Sequence, residues 1–115
     1  MTKNYLDLTT DISEHIKKLR KELPDVMGGF STMAQGALQA GALDKKTKEL
    51  IALAIGVSTR CDGCIGFHAQ ALHKLQATRA EVLETLGMAI YMGGGPSLMY
   101  AADALRAFEQ FENPA

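Results

Sequence analysis

The chain carries two cysteines, standing three apart in the run Cys61-Asp62-Gly63-Cys64, and Ile65-Gly66-Phe67-His68 follows directly. On a helix, an advance of about 100° per residue brings Cys61, Cys64 and His68 within roughly 60° of one another, so all three can line one wall of a pocket. Thr59, three residues before Asp62, comes close to a capping-box pattern and would start a helix near Arg60, with both thiols in or just beyond its first turn. There the helix dipole and unpaired amide groups favour a thiolate, slightly more at Cys61 than at Cys64. A thiolate attacks a peroxide oxygen or a disulfide sulfur, and the second thiol resolves the resulting sulfenic acid or mixed disulfide.

Such chemistry also needs a proton carrier, because a peroxide must lose a proton or its alkoxide must gain one. His68 has the right chemistry and lies on the right face. Glu49, twelve residues before Cys61, enters a helix that should be buried, and burial would suit it to act as a base or proton store. The alternative for Glu49 is a surface glutamate paired with Lys45 or Lys46. Cys61, Cys64 and His68, with or without Glu49, could instead be metal ligands. Structural zinc normally takes two spaced ligand pairs, however, and this chain has one Cys pair and no His-His pair, so no metal or cofactor is expected. His73 points well away from the cysteine face and suits a solvated position, and His15 suits a packed or partly exposed structural role.

The elements that must carry these residues are all helices. There is no sustained alternation of apolar and polar residues, and Ala, Leu, Met, Glu and Lys abound. About six helices are expected in an all-α fold. The first runs from about Asp11 to Leu23, with Ile12, His15, Ile16, Leu19 and Leu23 in one stripe and Pro24 stopping it. The second runs from Pro24 or Asp25 to about Ala40, with Gly41 suited to a left-handed cap. Asp44 caps a third of about Lys45 to Val57, apolar all round in its later part and therefore central. The fourth runs from Arg60 to about Leu75. Thr78 with Glu81 is a capping box for the fifth, which reaches Gly93-Gly94-Gly95, and Pro96 opens the sixth, ending near Phe111. With no strand before it and no Lys-Ser or Lys-Thr after it, the glycine run reads as a tight turn between helices and not as a phosphate loop. Phe67, Leu53, Met88 and Met92 are the expected walls of an apolar pocket.

At 115 residues, 47% of them hydrophobic, residues 1–115 suffice for one domain and not for two. The formal net charge is -1, and basic residues cluster only at Lys17, Lys18, Arg20 and Lys21, which read as a solvated helix face. Nucleic acid and anionic membrane are therefore poor partners. Residues 1–10 lack the apolar core of a secretory signal, and the longest apolar run, Leu50 to Val57, falls far short of a membrane span of about 20 residues. A soluble, cytoplasmic protein is expected. In a reducing compartment a close cysteine pair points to redox cycling or metal binding more than to a structural disulfide.

The combined pattern resembles the alkylhydroperoxidase D and carboxymuconolactone decarboxylase family. It consists of Glu49, Cys61 twelve residues on, Cys64, His68 four residues further, and a helix ending in Met92-Gly93-Gly94-Gly95-Pro96, and the likeness covers about Glu14 to Phe111. It implies an all-helical fold assembled as a homo-oligomer, commonly a hexamer built as a trimer of dimers. It also implies peroxidase or dithiol-disulfide oxidoreductase activity on small organic hydroperoxides or disulfides, recycled by a thiol reductant. Cys64 would be the peroxidatic cysteine, Cys61 the resolving one, and Glu49 with His68 the proton relay. Alkylhydroperoxidase D has a histidine immediately before its second cysteine, where this chain has Gly63, and it carries two related helical halves where this chain has one. Obligate dimerisation follows as an expectation. Family members that decarboxylate the muconolactone typically lack the cysteine pair, so lactone decarboxylation is the less favoured activity.

Overall fold

The computed structural model describes residues 3–114, which form six helices and, among the described residues, no strand. They are α1 (Tyr5–Glu22), α2 (Pro24–Leu38), α3 (Lys45–Ser58), α4 (Asp62–Lys74), α5 (Arg79–Gly93) and α6 (Gly95–Glu112). The all-α architecture agrees with the sequence pattern. Helix α3 packs on α4, α5 and α6, α6 packs on α4 and α5, α1 lies along α4, and α2 touches only α1 and the start of this group at α3.

Local signals account for most boundaries. The Asp44 side chain accepts the Thr47 N–H at 2.7 Å and starts α3. Thr78 and Glu81 bond reciprocally at 3.1 and 2.8 Å, completing the capping box of α5. Pro24 occupies the first turn of α2, where its missing N–H has no intrahelical partner to lose. The glycine run is the tight turn expected: Gly94, at φ +71, separates α5 from α6, and the missing side chain of Gly93 leaves room for Ser97.

Three boundaries differ from expectation. Helix α1 begins at Tyr5, six residues before Asp11, because the Asn4 side chain accepts the Asp7 N–H and the Tyr5 ring is an anchor wholly buried in the core. Gly41 does not form a left-handed cap, since α2 ends at Leu38 and the next residue, Gln39, turns to extended backbone. Thr59 does not cap α4 but closes α3, its hydroxyl donating to the Ile55 carbonyl, and Cys61 is the capping residue instead.

The core is built from Leu53 and Val57 of α3, Ile65, Ala69 and Leu72 of α4, Val82 and Leu86 of α5, and Ala101, Ala104, Ala107 and Phe108 of α6. The alanines of α6 let neighbouring helices approach closely, and each fully buried Leu, Ile, Val or Phe contributes about 1.5–3 kcal/mol. Helix α3 is central on one face only. Its Ile51 and Ile55 are exposed on the opposite side, and α2 contributes no buried residue at all.

Helix α1 reaches α4 over a glycine. A side chain on Gly66 would meet Thr9 Cγ2 at 2.7 Å and the Tyr5 ring at 3.0 Å, so this contact requires the bare backbone. The Tyr5 hydroxyl donates to Asp103 of α6, and burial, reinforced by that bond, pushes the phenol well above its usual range. Lys3 pairs with Asp103 and Asp62, both at 3.0 Å, and Arg106 reaches Asp103 at 2.6 Å. Burial opposes the Lys3 charge, but hydrogen bonds to Asp62 and Asp103 outweigh it and hold the ammonium above its usual range.

Candidate functional site

The site lies where α3 hands over to α4. The Cys61 N–H bonds the Gly56 carbonyl at 2.9 Å and the Arg60 N–H bonds the Val57 carbonyl at 3.2 Å, which is the pairing of a Schellman termination. Arg60 occupies the left-handed position, at φ 57, that glycine usually fills. The chain reverses there and delivers Cys61 as the N-cap of α4. Its sulfur accepts the Cys64 N–H at 3.2 Å, taking the part that a serine or aspartate oxygen usually plays.

Both cysteines are half-buried. Their Cα atoms are 5.2 Å apart and their sulfurs are within bonding distance, so the pair is close enough to form a disulfide. Gly56 makes this possible from the α3 side. A side chain there would sit 3.2 Å from Cys64 Cβ, so the glycine is what lets the second cysteine press against α3.

His68 follows Cys64 by one helical turn on α4 and bonds Glu49 of α3, Nδ1 to Oε2, at 2.7 Å. Glu49 is 3% exposed, so it is not a surface residue, and Lys46 is bound elsewhere, to Glu81 at 2.8 Å. A buried carboxylate accepting the Nδ1–H leaves Nε2 of the imidazole as the free acceptor, which is the arrangement of an oriented base. The structure thus brings Glu49 to His68 on the same α3–α4 surface that carries the two cysteines. His73 is exposed, as expected, and so is His15, whose ring bonds the Asp11 carbonyl on its own helix. Among the described residues no group of three or more His, Cys, Asp or Glu is disposed to hold a metal ion.

Gly63 packs close to α1. A side chain at this position would come within 3.1 Å of Ile12 Cδ1 on α1, so the residue between Asp62 and Cys64 lies beneath α1.

The expected pocket walls do not come together. Met88 and Met92 line an open apolar groove of about 410 Å³ with Leu50, Ile51, Ala54 and Ile55, between α3 and α5. Leu53 is sealed in the core, and Phe67 faces a separate groove between α1 and α4 with Ser13, Ile16, Lys17 and Arg20. Helical spacing relates positions within one helix, whereas these four residues lie on three helices whose mutual rotation the spacing does not reveal. Sequence inspection also missed Gly56 and Lys3. A glycine inside an apolar helix signals close approach without saying to what, and nothing marks a lysine 59 positions from Asp62 as its partner.

Comparison with known proteins agrees with the all-α fold. Residues 24–107 match the model of the Carboxymuconolactone decarboxylase family. A carboxymuconolactone decarboxylase family protein from Legionella pneumophila, solved in its apo form, is 64% identical, with a TM-score of 0.94 over 95% of this chain and 97% of that one. A Thermotoga maritima protein of the same family, for which an involvement in antioxidative response has been suggested, is 25% identical, with a TM-score of 0.76 over 96% of this chain and 91% of that one. An uncharacterized protein of Cupriavidus necator is 38% identical over 95% of this chain and 96% of its own length.

Proposed function

Because the chain belongs to the carboxymuconolactone decarboxylase family, we propose that it is an enzyme of the family's thiol-dependent branch, a peroxidase or dithiol-disulfide oxidoreductase acting on small organic hydroperoxides. The observation that carries this reading is a cysteine pair within bonding distance at a helix N-terminus, one turn before a histidine bound to a buried glutamate. The suggested antioxidative involvement of the Thermotoga maritima relative is consistent with it.

His68 takes the Cys64 thiol proton; the thiolate attacks one peroxide oxygen, the O–O bond breaks, and the alkoxide takes that proton back from His68 and leaves as an alcohol, which makes Cys64 a sulfenic acid. The Cys61 thiol then attacks that sulfur; its proton and the departing hydroxide form water, and the Cys61–Cys64 disulfide remains. An external dithiol, or two equivalents of a thiol, reduces the disulfide and is itself oxidised. Glu49 holds the imidazole in place and takes part in the relay. A cytoplasmic setting supplies such reductants, and among the described residues no helix is long and apolar enough to cross a membrane. Lactone decarboxylation would leave the dithiol idle.

Treating the reduced protein with one equivalent of an organic hydroperoxide should convert it to the Cys61–Cys64 disulfide, read by mass spectrometry as the loss of two hydrogens. Persistence of both free thiols in excess peroxide would defeat the reading.

The working form is a homo-oligomer, in our proposal a hexamer built as a trimer of dimers. Val26, Phe30 and Met33 of α2 are 60–66% exposed, and Ile55, Met88 and Met92 add a second apolar face, more than an isolated soluble chain usually leaves uncovered. Sedimentation at micromolar concentration should give about six times the mass of one chain, and a single-chain mass would contradict the assembly.

A further inference from the structure

We propose that Lys3 tunes the reactivity of the dithiol through Asp62. Asp62 is the first residue of α4, directly after the N-cap Cys61 and two positions before Cys64, so its carboxylate carries a negative charge in the same first helical turn as both sulfurs. Like charge disfavours the thiolate and works against the helix dipole that favours it. Lys3 Nζ lies 3.0 Å from Asp62 Oδ2 and offsets that charge.

Lys3 is well placed to do this because its segment is held from several sides. Gln110 of α6 donates to the Lys3 carbonyl at 2.7 Å and accepts the Tyr5 N–H at 2.7 Å, which ties the backbone on both sides of Asn4. The ammonium is held by Asp103 as well as Asp62 and lies 5.5 Å from the centre of the Tyr100 ring. Asp103 is satisfied in turn by the Tyr5 hydroxyl and by Arg106. Little conformational freedom remains to be lost when Lys3 pairs with Asp62, unlike the usual surface lysine. Near the cysteines along the chain stand Asp62 on α4, Arg60 in the turn and His68 with its partner Glu49, and Lys3 links Asp62 to Asp103 and Arg106 on α6.

This inference rests on Cys61 and Cys64 being a working dithiol, and its test needs no peroxide. In the test, iodoacetamide alkylates the reduced protein: a sulfur–carbon bond forms, iodide leaves, and the thiol proton passes to buffer. Lys3→Gln should slow alkylation at pH 7 about threefold, and Asp62→Asn should speed it by a similar factor, both being modest because the ion pair is partly solvated. Lys3→Arg should restore the wild-type rate and pH profile. Equilibration with dithiothreitol should agree, with Lys3→Gln shifting the population toward the disulfide and Asp62→Asn toward the dithiol.

The opposite signs decide the matter. If the Lys3–Asp62 bridge were only a clamp, breaking it from either end would move the rate in the same direction. Same-sign changes, or unchanged rates in both variants, would overturn the proposal. Opposite signs in a protein that turns over no hydroperoxide would leave this inference standing and remove the peroxidase reading.

Discussion

Cys64→Ser should abolish turnover of organic hydroperoxides, lowering kcat/KM by at least about a hundredfold, because a serine hydroxyl neither ionises near neutrality nor attacks a peroxide oxygen. Cys61→Ser should behave differently. It keeps the attacking sulfur and loses only the resolving one, so one equivalent of peroxide should be consumed and the sulfenic acid should persist long enough to be captured by a carbon nucleophile such as dimedone. The contrast is informative because the two positions differ in their physical setting. Cys61 sits at the N-cap, where its sulfur takes the Cys64 N–H, a bond that would favour negative charge on Cys61. Cys64 is pressed against Gly56 and stands one turn from His68, the group best placed to protonate a departing alkoxide. If Cys64→Ser retained rapid single-turnover peroxide consumption while Cys61→Ser lost it, the attacking role would pass to Cys61. A lactone decarboxylase activity that survived replacement of both cysteines would move the whole function to Glu49 and His68.

Glu49→Gln should lower peroxide turnover by about tenfold to a hundredfold, at the lower end of what a positioned acid–base group contributes. Glutamine matches glutamate in shape, so the α3–α4 packing around this buried position should survive, and the melting temperature should change little. What it lacks is the acceptor-only character that holds Nδ1–H in place. With an amide at position 49 the imidazole can turn over or exchange tautomers, and Nε2 is no longer dependably the proton-accepting atom. The pH dependence of alkylation of the reduced protein should flatten with the loss in turnover. Alkylation and turnover profiles superimposable on those of the wild type would return Glu49 to a packing role.

The helices were legible because their causes are local. The Asp44 cap, the Thr78–Glu81 box, the Pro24 start and the glycine turn at 93–95 each act within one or two turns of the chain, and all of them appear where the pattern put them. The early start of α1 has one local cause, the Asn4 cap, and one that no local pattern shows, the Tyr5 anchor, whose buried partner Asp103 is 98 positions away. The cap of α4 was misassigned for a related reason. Residue type favours Thr59, and Cys61 takes the place because Arg60 adopts a left-handed conformation that closes α3 two residues before α4 opens.

By itself the sequence determined the all-helical class, the family and the chemically capable residues, since residue type and spacing along one chain suffice for each. The tertiary structure alone decided that Glu49 is buried and bound to His68, that Gly56 makes room for Cys64, that Gly63 lies under Ile12, and that Lys3 faces Asp62. Each of these depends on how one helix is rotated and seated against another, which is set by the packing of the whole core and by no stretch of sequence on its own.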